Sequence, residues 1–249
     1  MRRALFLHTQ KTAGTSIQHI ARQFYGPDNV TSHADYEELG VAACGTLDFV
    51  SGHFGYEFAR PLMPDRYCFT FLRDPIERVL SLYSFSAGRP AGESPFYDVA
   101  REEGLEAFLR LAHCPEPVYR EMFWNHQTWQ LAYGRGAEFA DKPSRVVDEF
   151  DGTEMLAMAK LHLSTFDYIA FVERFDDDAA AIFKALGCGK VELVRANSSA
   201  NRPSTEGLPQ ATMDLLLEFT ALDRELYQYG LDLRKSYKPK GLIQRIFGF

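Results

Sequence analysis

Ala4-Leu5-Phe6-Leu7-His8-Thr9-Gln10-Lys11-Thr12-Ala13-Gly14-Thr15-Ser16-Ile17 decides how the chain is read. Ala4–Leu7 is a short apolar run of strand material, and it passes directly into a loop of small and hydroxyl residues that opens a helical segment. A strand, a tight loop and a helix N-terminus aim successive backbone N–H groups and the positive end of the helix dipole at one point, and Lys11 adds a full charge there. This is the setting of a phosphate cradle. It is not a Walker A motif, which needs a Gly-Lys pair that this loop lacks. An ordinary βα turn with a solvated lysine fits the loop alone equally well.

Working outward, further short apolar runs stand at Phe49-Val50, Tyr67–Leu72, Tyr168–Val172 and Val191–Val194, alternating with segments of helical period. Alternation of this kind predicts an α/β fold, a three-layer sandwich with a central parallel sheet. With 249 residues, no internal repeat and no long linker, residues 1–249 are expected to form a single domain. Hydrophobic content of 46% and charged content of 24% exclude a disordered chain, a collagen and a coiled coil.

The chain carries 27 Lys+Arg against 34 Asp+Glu, a net charge of -7, opposite to the footprint of a nucleic-acid binder. A polyanionic partner would need a local basic groove, for which Arg60, Arg66 and Arg89 are the candidates. No apolar run is long enough to span a membrane, and Ala4–Leu7 is too short for a signal peptide, so a cytoplasmic protein is expected. Cys44, Cys68, Cys114 and Cys188 form no CxxC pair and read as reduced thiols.

Helix signals locate the side chains. Asp74 as N-cap, Pro75 at the first helical position and Glu77 at the third predict a capping box. Ile76, Val79, Leu80 and Tyr83 then form the buried stripe, leaving Glu77, Arg78 and Ser81 on other faces. A second helix is predicted over Asp176–Leu186, with Asp176, Asp177 and Asp178 as dipole-complementing charges and Gly187 closing it. Leu215, Phe219, Leu222 and Leu226 form one apolar helical stripe.

Thr70-Phe71-Leu72-Arg73-Asp74-Pro75-Ile76-Glu77-Arg78-Val79-Leu80-Ser81 places one guanidinium at a strand end and one hydroxyl on the next helix, a second place for a phosphate. Two such sites imply a doubly phosphorylated nucleotide. Here the sequence resembles sulfotransferases that use 3′-phosphoadenosine 5′-phosphosulfate (PAPS), nearest by pattern to the heparan and uronyl 2-O-sulfotransferases. Lys11-Thr12-Ala13-Gly14-Thr15-Ser16 looks like their 5′-phosphosulfate loop, and Arg73 with Ser81 looks like their 3′-phosphate site. The resemblance continues through Ser51-Gly52-His53, Asn125-His126-Gln127-Thr128 with Leu131 and Gly134, and Phe171-Val172-Glu173-Arg174-Phe175. Gln10 stands where the family often has proline, and Ser51 where the polysaccharide enzymes can carry a second histidine.

The resemblance implies a P-loop-like sulfotransferase fold, PAPS as sulfuryl donor with no metal, and a hydroxyl-bearing acceptor, carbohydrate or small molecule. It gives Lys11 two tasks, binding the 5′-phosphosulfate and neutralising charge on the leaving oxygen. Arg202, in Ala200-Asn201-Arg202-Pro203, belongs either to a loop closing over the nucleotide or to a plain surface loop. His53 follows a short strand and is expected at the same sheet edge as Lys11 and Arg73, which makes it the candidate general base. His8, His33, His113, His126 and His162 carry no such positional support. The tail Lys235–Phe247 puts basic residues before a short amphipathic segment, suited to peripheral membrane contact or to packing on the domain. A small-molecule kinase with a degenerate phosphate loop, and a nucleotide-binding module without catalysis, stand as the alternatives.

Overall fold

Four parallel strands, β1 (Ala4–Leu7), β2 (Phe49–Gly52), β3 (Tyr67–Leu72) and β4 (Tyr168–Phe171), lie in the order β2-β1-β3-β4. The structure is a computed structural model that describes residues 1–135, 151–189, 191 and 203–236. Its helices before β4 are α1 (Gly14–Tyr25), α2 (Asp35–Cys44), α3 (Tyr56–Ala59), α4 (Pro75–Ala87), α5 (Pro95–Glu102), α6 (Gly104–Arg110), α7 (Pro117–Phe123), α8 (His126–Ala132) and α9 (Gly152–Leu163). After β4 come α10 (Phe175–Ala185), α11 (Gln210–Phe219) and α12 (Ala221–Ser236). The run predicted as a strand at Val191–Val194 lies outside the described residues, except Val191, which is in no strand.

Both sheet faces are covered, which is why β1 reads as a continuous apolar run and not as an alternation. Ala4, Phe6, Phe49, Phe69 and Phe71 pack against Ile17 and Ile20 of α1 and Ile182 and Phe183 of α10. Leu5, Leu7, Val50, Cys68 and Leu72 face the other way, onto Trp129 of α8, Met155 and Leu163 of α9 and Leu226 of α12. The arrangement is the expected three-layer α/β sandwich. A further core joins Val79 and Leu80 of α4 to Phe96, Phe108, Phe123 and Phe219 of α5, α6, α7 and α11. Each fully buried phenylalanine contributes about 1.5–3 kcal/mol over leaving it exposed.

The registers Leu7↔Gly52, Leu7↔Thr70 and Leu72↔Phe171 align the carboxyl ends of all four strands on one edge. From β1 the chain turns first to β2 on one side and later to β3 on the other. The strand order therefore reverses between β1 and β3, and a ligand crevice opens there.

Three local expectations are corrected. Asp74 caps α4, its Oδ1 accepting from Glu77 N–H at 3.0 Å, but its own N–H donates to Glu173 Oε1 at 2.8 Å, so the reciprocal half of the capping box comes from the segment after β4. The stripe from Leu215 to Leu226 is two helices: Asn125 N–H takes the Phe219 carbonyl at 2.7 Å, and Asn125 Oδ1 accepts from the N–H groups of Leu222 and Asp223, restarting the chain as α12. Asp178 is buried, accepts from Phe171 N–H at 2.8 Å and pairs with Arg234, so it ties α10 and α12 to β4 and is more than a capping charge.

Candidate active site

The β1–α1 loop is built around two backbone positions of positive φ. Lys11 and Ala13 both have φ 66°, left-handed values that cost ordinary residues about 1–3 kcal/mol. Thr12 Oγ1 donates to Thr9 carbonyl at 2.7 Å, which turns that hydroxyl into the protein. Thr12, expected among the nucleotide-binding residues of the loop, is therefore a buried brace, and unlike Lys11, Ala13, Gly14, Thr15 and Ser16 it does not line the cavity. Gly14 is required by a neighbour: a Cβ there would stand 1.9 Å from the His8 ring. Ala13 gives α1 no side-chain cap and the first turn has no acid, so no side chain competes with a ligand for the positive end of the helix.

Arg73 leaves β3 toward the same point. Its Nη1 donates to the Lys11 carbonyl at 3.0 Å, and its main chain is clamped by Gln127, whose Oε1 accepts from Arg73 N–H and whose Nε2 donates to Arg73 carbonyl, each at 3.0 Å. Gln127 sits at the start of α8, and that helix is capped by buried Asp223, which accepts from Thr128 N–H and Oγ1 at 2.7 Å each. The Asn125-His126-Gln127-Thr128 motif thus positions Arg73 and does not enter the cavity. Arg78, off the apolar stripe of α4, is nevertheless fully buried and donates to Met122 carbonyl at 2.6 Å. Burial together with Arg73 and Arg78 lowers the Lys11 ammonium to about 8, and its Nζ rests 3.8 Å from the Phe85 ring centroid.

His53 emerges where expected, one residue past β2. Burial, with His33, Arg135 and Lys11 nearby, holds its imidazole down at about 3. Two histidines passed over in the sequence join it. His8 continues β1, and the strand-end position that singled out Arg73 applied to it equally. His33 left no signal in the sequence; the Ser32–Asp35 turn delivers it, Ser32 N–H donating to Asp35 Oδ2 at 2.6 Å. The three side chains offer ring nitrogens that lie within 4.8 Å of one another. Such a set is of the kind that holds a divalent metal, but Lys11 and Arg135 face His53 and Arg22 faces His33, with Asp35 the opposing carboxylate. A dication is electrostatically disfavoured there. Ser51, at the place of the family's second histidine, is buried and accepts from Gln18 Nε2 at 3.1 Å.

These parts line one cavity of about 670 Å³. Lys11, Ala13, Gly14, Thr15 and Ser16 form one wall, Arg73 and Ser81 the next, and His8, His33 and His53 a third. Phe85, Phe96, Tyr97 and Tyr119 supply an aromatic side that no motif announced. Arg202 lies outside the described residues, as does the tail beyond 236. Of the candidates for a local basic groove, Arg66 is buried on the carbonyls of Ala4, Gly45 and Asp48 and Arg89 pairs with Glu93, while Arg60 is exposed.

Residues 2–230 match the Sulfotransferase family. Galactose-3-O-sulfotransferase 3 of Mus musculus is 26% identical over 248 residues, covering 90% of this chain and 54% of that protein. The proteins of the same name from Bos taurus and Homo sapiens are each 27% identical, with 55% and 54% of their length covered. The chain spans about half the length of the curated relatives it matches. These relatives overturn the expected cytoplasmic location: that expectation rested on reading Met1–Leu7 as a complete start without a leader, and a chain matching half of a galactose sulfotransferase carries no such information. No helix among the described residues is long and apolar enough to cross a membrane.

Proposed function

Because the chain belongs to the Sulfotransferase family, we propose that it transfers a sulfuryl group from PAPS to a hydroxyl of a carbohydrate, with a galactose-containing glycan as the acceptor class its relatives' names suggest. Residues 1–249 act in this reading as one sulfotransferase domain. The observation that carries it is the pairing of two cationic anion sites in one cavity: Lys11 with the uncapped start of α1 on one side of the β1/β3 crevice, and Arg73 with Ser81 on the other. A donor with phosphate at both 5′ and 3′ positions fits that pair, and about 670 Å³ accommodates a nucleotide.

The donor supplies an activated S–O bond. The acceptor oxygen attacks sulfur as the bond to the bridging phosphate oxygen breaks, and the hydroxyl proton passes to His53. Lys11 and the N–H groups of Ala13, Gly14 and Thr15 hold the 5′ group and take up charge on the departing oxygen. Arg73 and Ser81 hold the 3′-phosphate. His53, neutral before reaction, has a nitrogen lone pair to accept the proton. The positive charge that a kinase draws from Mg²⁺ comes here from Lys11 and the loop, so the transfer proceeds without metal.

Calorimetry with 3′-phosphoadenosine 5′-phosphate (PAP) against ATP tests the donor site, with turnover of PAPS on a terminal galactoside as the second arm. Tight PAP binding, weak ATP binding and metal-independent sulfation are expected. ATP binding that needs Mg²⁺ would transfer the site to a kinase.

A further inference from the structure

The three histidines come from separate segments, the ends of β1 and β2 and the loop before α2, yet their rings close on one another. Ring centroids are 4.6 Å apart for His8 and His53 and 4.9 Å for His33 and His53, the latter with planes only 16° apart. His33 Nδ1 and His8 Nδ1 stand 3.3 Å apart, a contact that needs one nitrogen protonated and the other bare. His53 N–H donates to His33 carbonyl at 3.0 Å, so main chain as well as rings ties the two. The His8 position is fixed from both sides, by Gly14 beneath its ring and by Gln130 Nε2, which donates to His8 carbonyl at 3.1 Å and to Phe54 carbonyl at 2.9 Å.

We propose that His8, His33 and His53 act as one unit that carries a single proton, that His33 is the positioning residue through which His53 works, and that the donor's anionic groups must be in place before the unit takes that proton. The proposal rests on the reading of His53 as the base.

Two charged rings in contact repel, which limits the unit to one proton. The charged groups facing it are mostly cationic: Lys11 faces all three rings, Arg135 faces His53 and Arg22 faces His33, against the one carboxylate of Asp35 beside His33, while buried His126, itself held well below its ordinary value, faces His8 as a neutral ring. All three imidazoles are accordingly held below their ordinary value, burial being the largest cause in each. An anionic 5′ group beside Lys11 offsets that field and favours the charged imidazole. All three line the cavity, but His8 is buried whereas His33 and His53 are half-buried, so His33 is the member able to take the proton on from His53 toward solvent. The consequence is an order of events: a free protein with acceptor alone holds a poor base, and donor binding creates the competent one.

The test is a histidine-ring NMR titration of the wild-type protein, free and saturated with PAP. His53 is expected to titrate far below the ordinary imidazole range when free and to rise by at least one pH unit with PAP bound. An unchanged titration overturns the coupling, and it does so without any variant. His33→Asn, checked for folding by its melting temperature, is expected to lower kcat about tenfold, to leave PAP affinity unchanged and to shift the pH profile of kcat. A variant with lower kcat but an unshifted profile makes His33 merely structural. Stoichiometric Zn²⁺ binding by the wild-type protein, lost in His33→Asn, overturns the proposal in favour of a metal site. If His53→Ala keeps near-normal turnover, the base reading itself falls, whatever the PAP titration shows.

Discussion

Arg73 Nη1 donates to the carbonyl of Lys11 at 3.0 Å, joining the loop after β3 to the loop after β1 across the point where the strand order reverses. The two cations assigned to opposite ends of the donor are therefore braced by one hydrogen bond. Lys11 holds a left-handed φ of 66° whose carbonyl orientation this bond secures.

Arg73→Ala should weaken PAP binding by about 1.5–3 kcal/mol, the usual scale for hydrogen bonds to a charged group. Adenosine 5′-phosphate should lose less, because only the brace on Lys11 affects it. Calorimetry with both nucleotides measures the difference. Equal losses would make Arg73 a folding residue and leave the 3′-phosphate without its proposed partner.

Lys11 should impose an alkaline limit on donor binding. Its ammonium is lowered to about 8 by burial, Arg73 and Arg78, so the free protein loses that charge as pH rises through 8 while the nucleotide keeps its own. PAP affinity should then fall between about pH 7.5 and 9.5. Lys11→Met, which removes the charge and keeps an unbranched side chain, should bind weakly at every pH and show no such fall. A wild-type affinity independent of pH up to 9.5 would mean that Lys11 does not hold the phosphate.

Gln127→Ala should damage donor binding from outside the cavity. Removing the amide frees both the N–H and the carbonyl of Arg73, and two lost hydrogen bonds of about 0.5–1.5 kcal/mol each should lower both stability and PAP affinity. Chemical denaturation and PAP calorimetry on the same variant check it. Loss of stability with full PAP affinity would show that Arg73 finds its place without the clamp.

The difference between what the sequence made legible and what it hid follows from range. β1, β3 and the start of α4 were readable because short apolar runs and an Asp-Pro cap are local signals, and the Lys11, Arg73 and His53 positions followed from strand ends that share one edge. His33 was not readable, since its place depends on a turn made by Ser32 and Asp35 and on packing against two other strand ends. The break between α11 and α12 was hidden for a similar reason: it is enforced by Asn125, about 95 residues away in the chain, while the apolar period runs straight through it. The burial of Arg78 was not readable, because helical period gives a face but not the depth of the neighbours covering it.

The buried imidazoles should make the fold acid-sensitive well above the carboxylate range. His8 and His126 are almost wholly buried, and burial holds both well below their ordinary value, helped at His8 by His53 and at His126 by Arg78. In the unfolded chain both titrate near 6.5, so below that pH the unfolded state binds protons that the folded state refuses. Stability is then full above about pH 7 and falls on acidification, by roughly 1.4 kcal/mol per pH unit for each histidine once well below 6.5. Asp223, whose carboxyl burial raises, acts in the opposite sense, whereas His33 and His53, also held below their ordinary value, act in the same sense as His8 and His126. Denaturant unfolding at pH 7, 6 and 5 should show the decline, and His126→Gln, which can still donate to the Glu121 carbonyl, should make it shallower by about one proton's worth. Equal stability at all three pH values would show that these rings are protonated inside the fold.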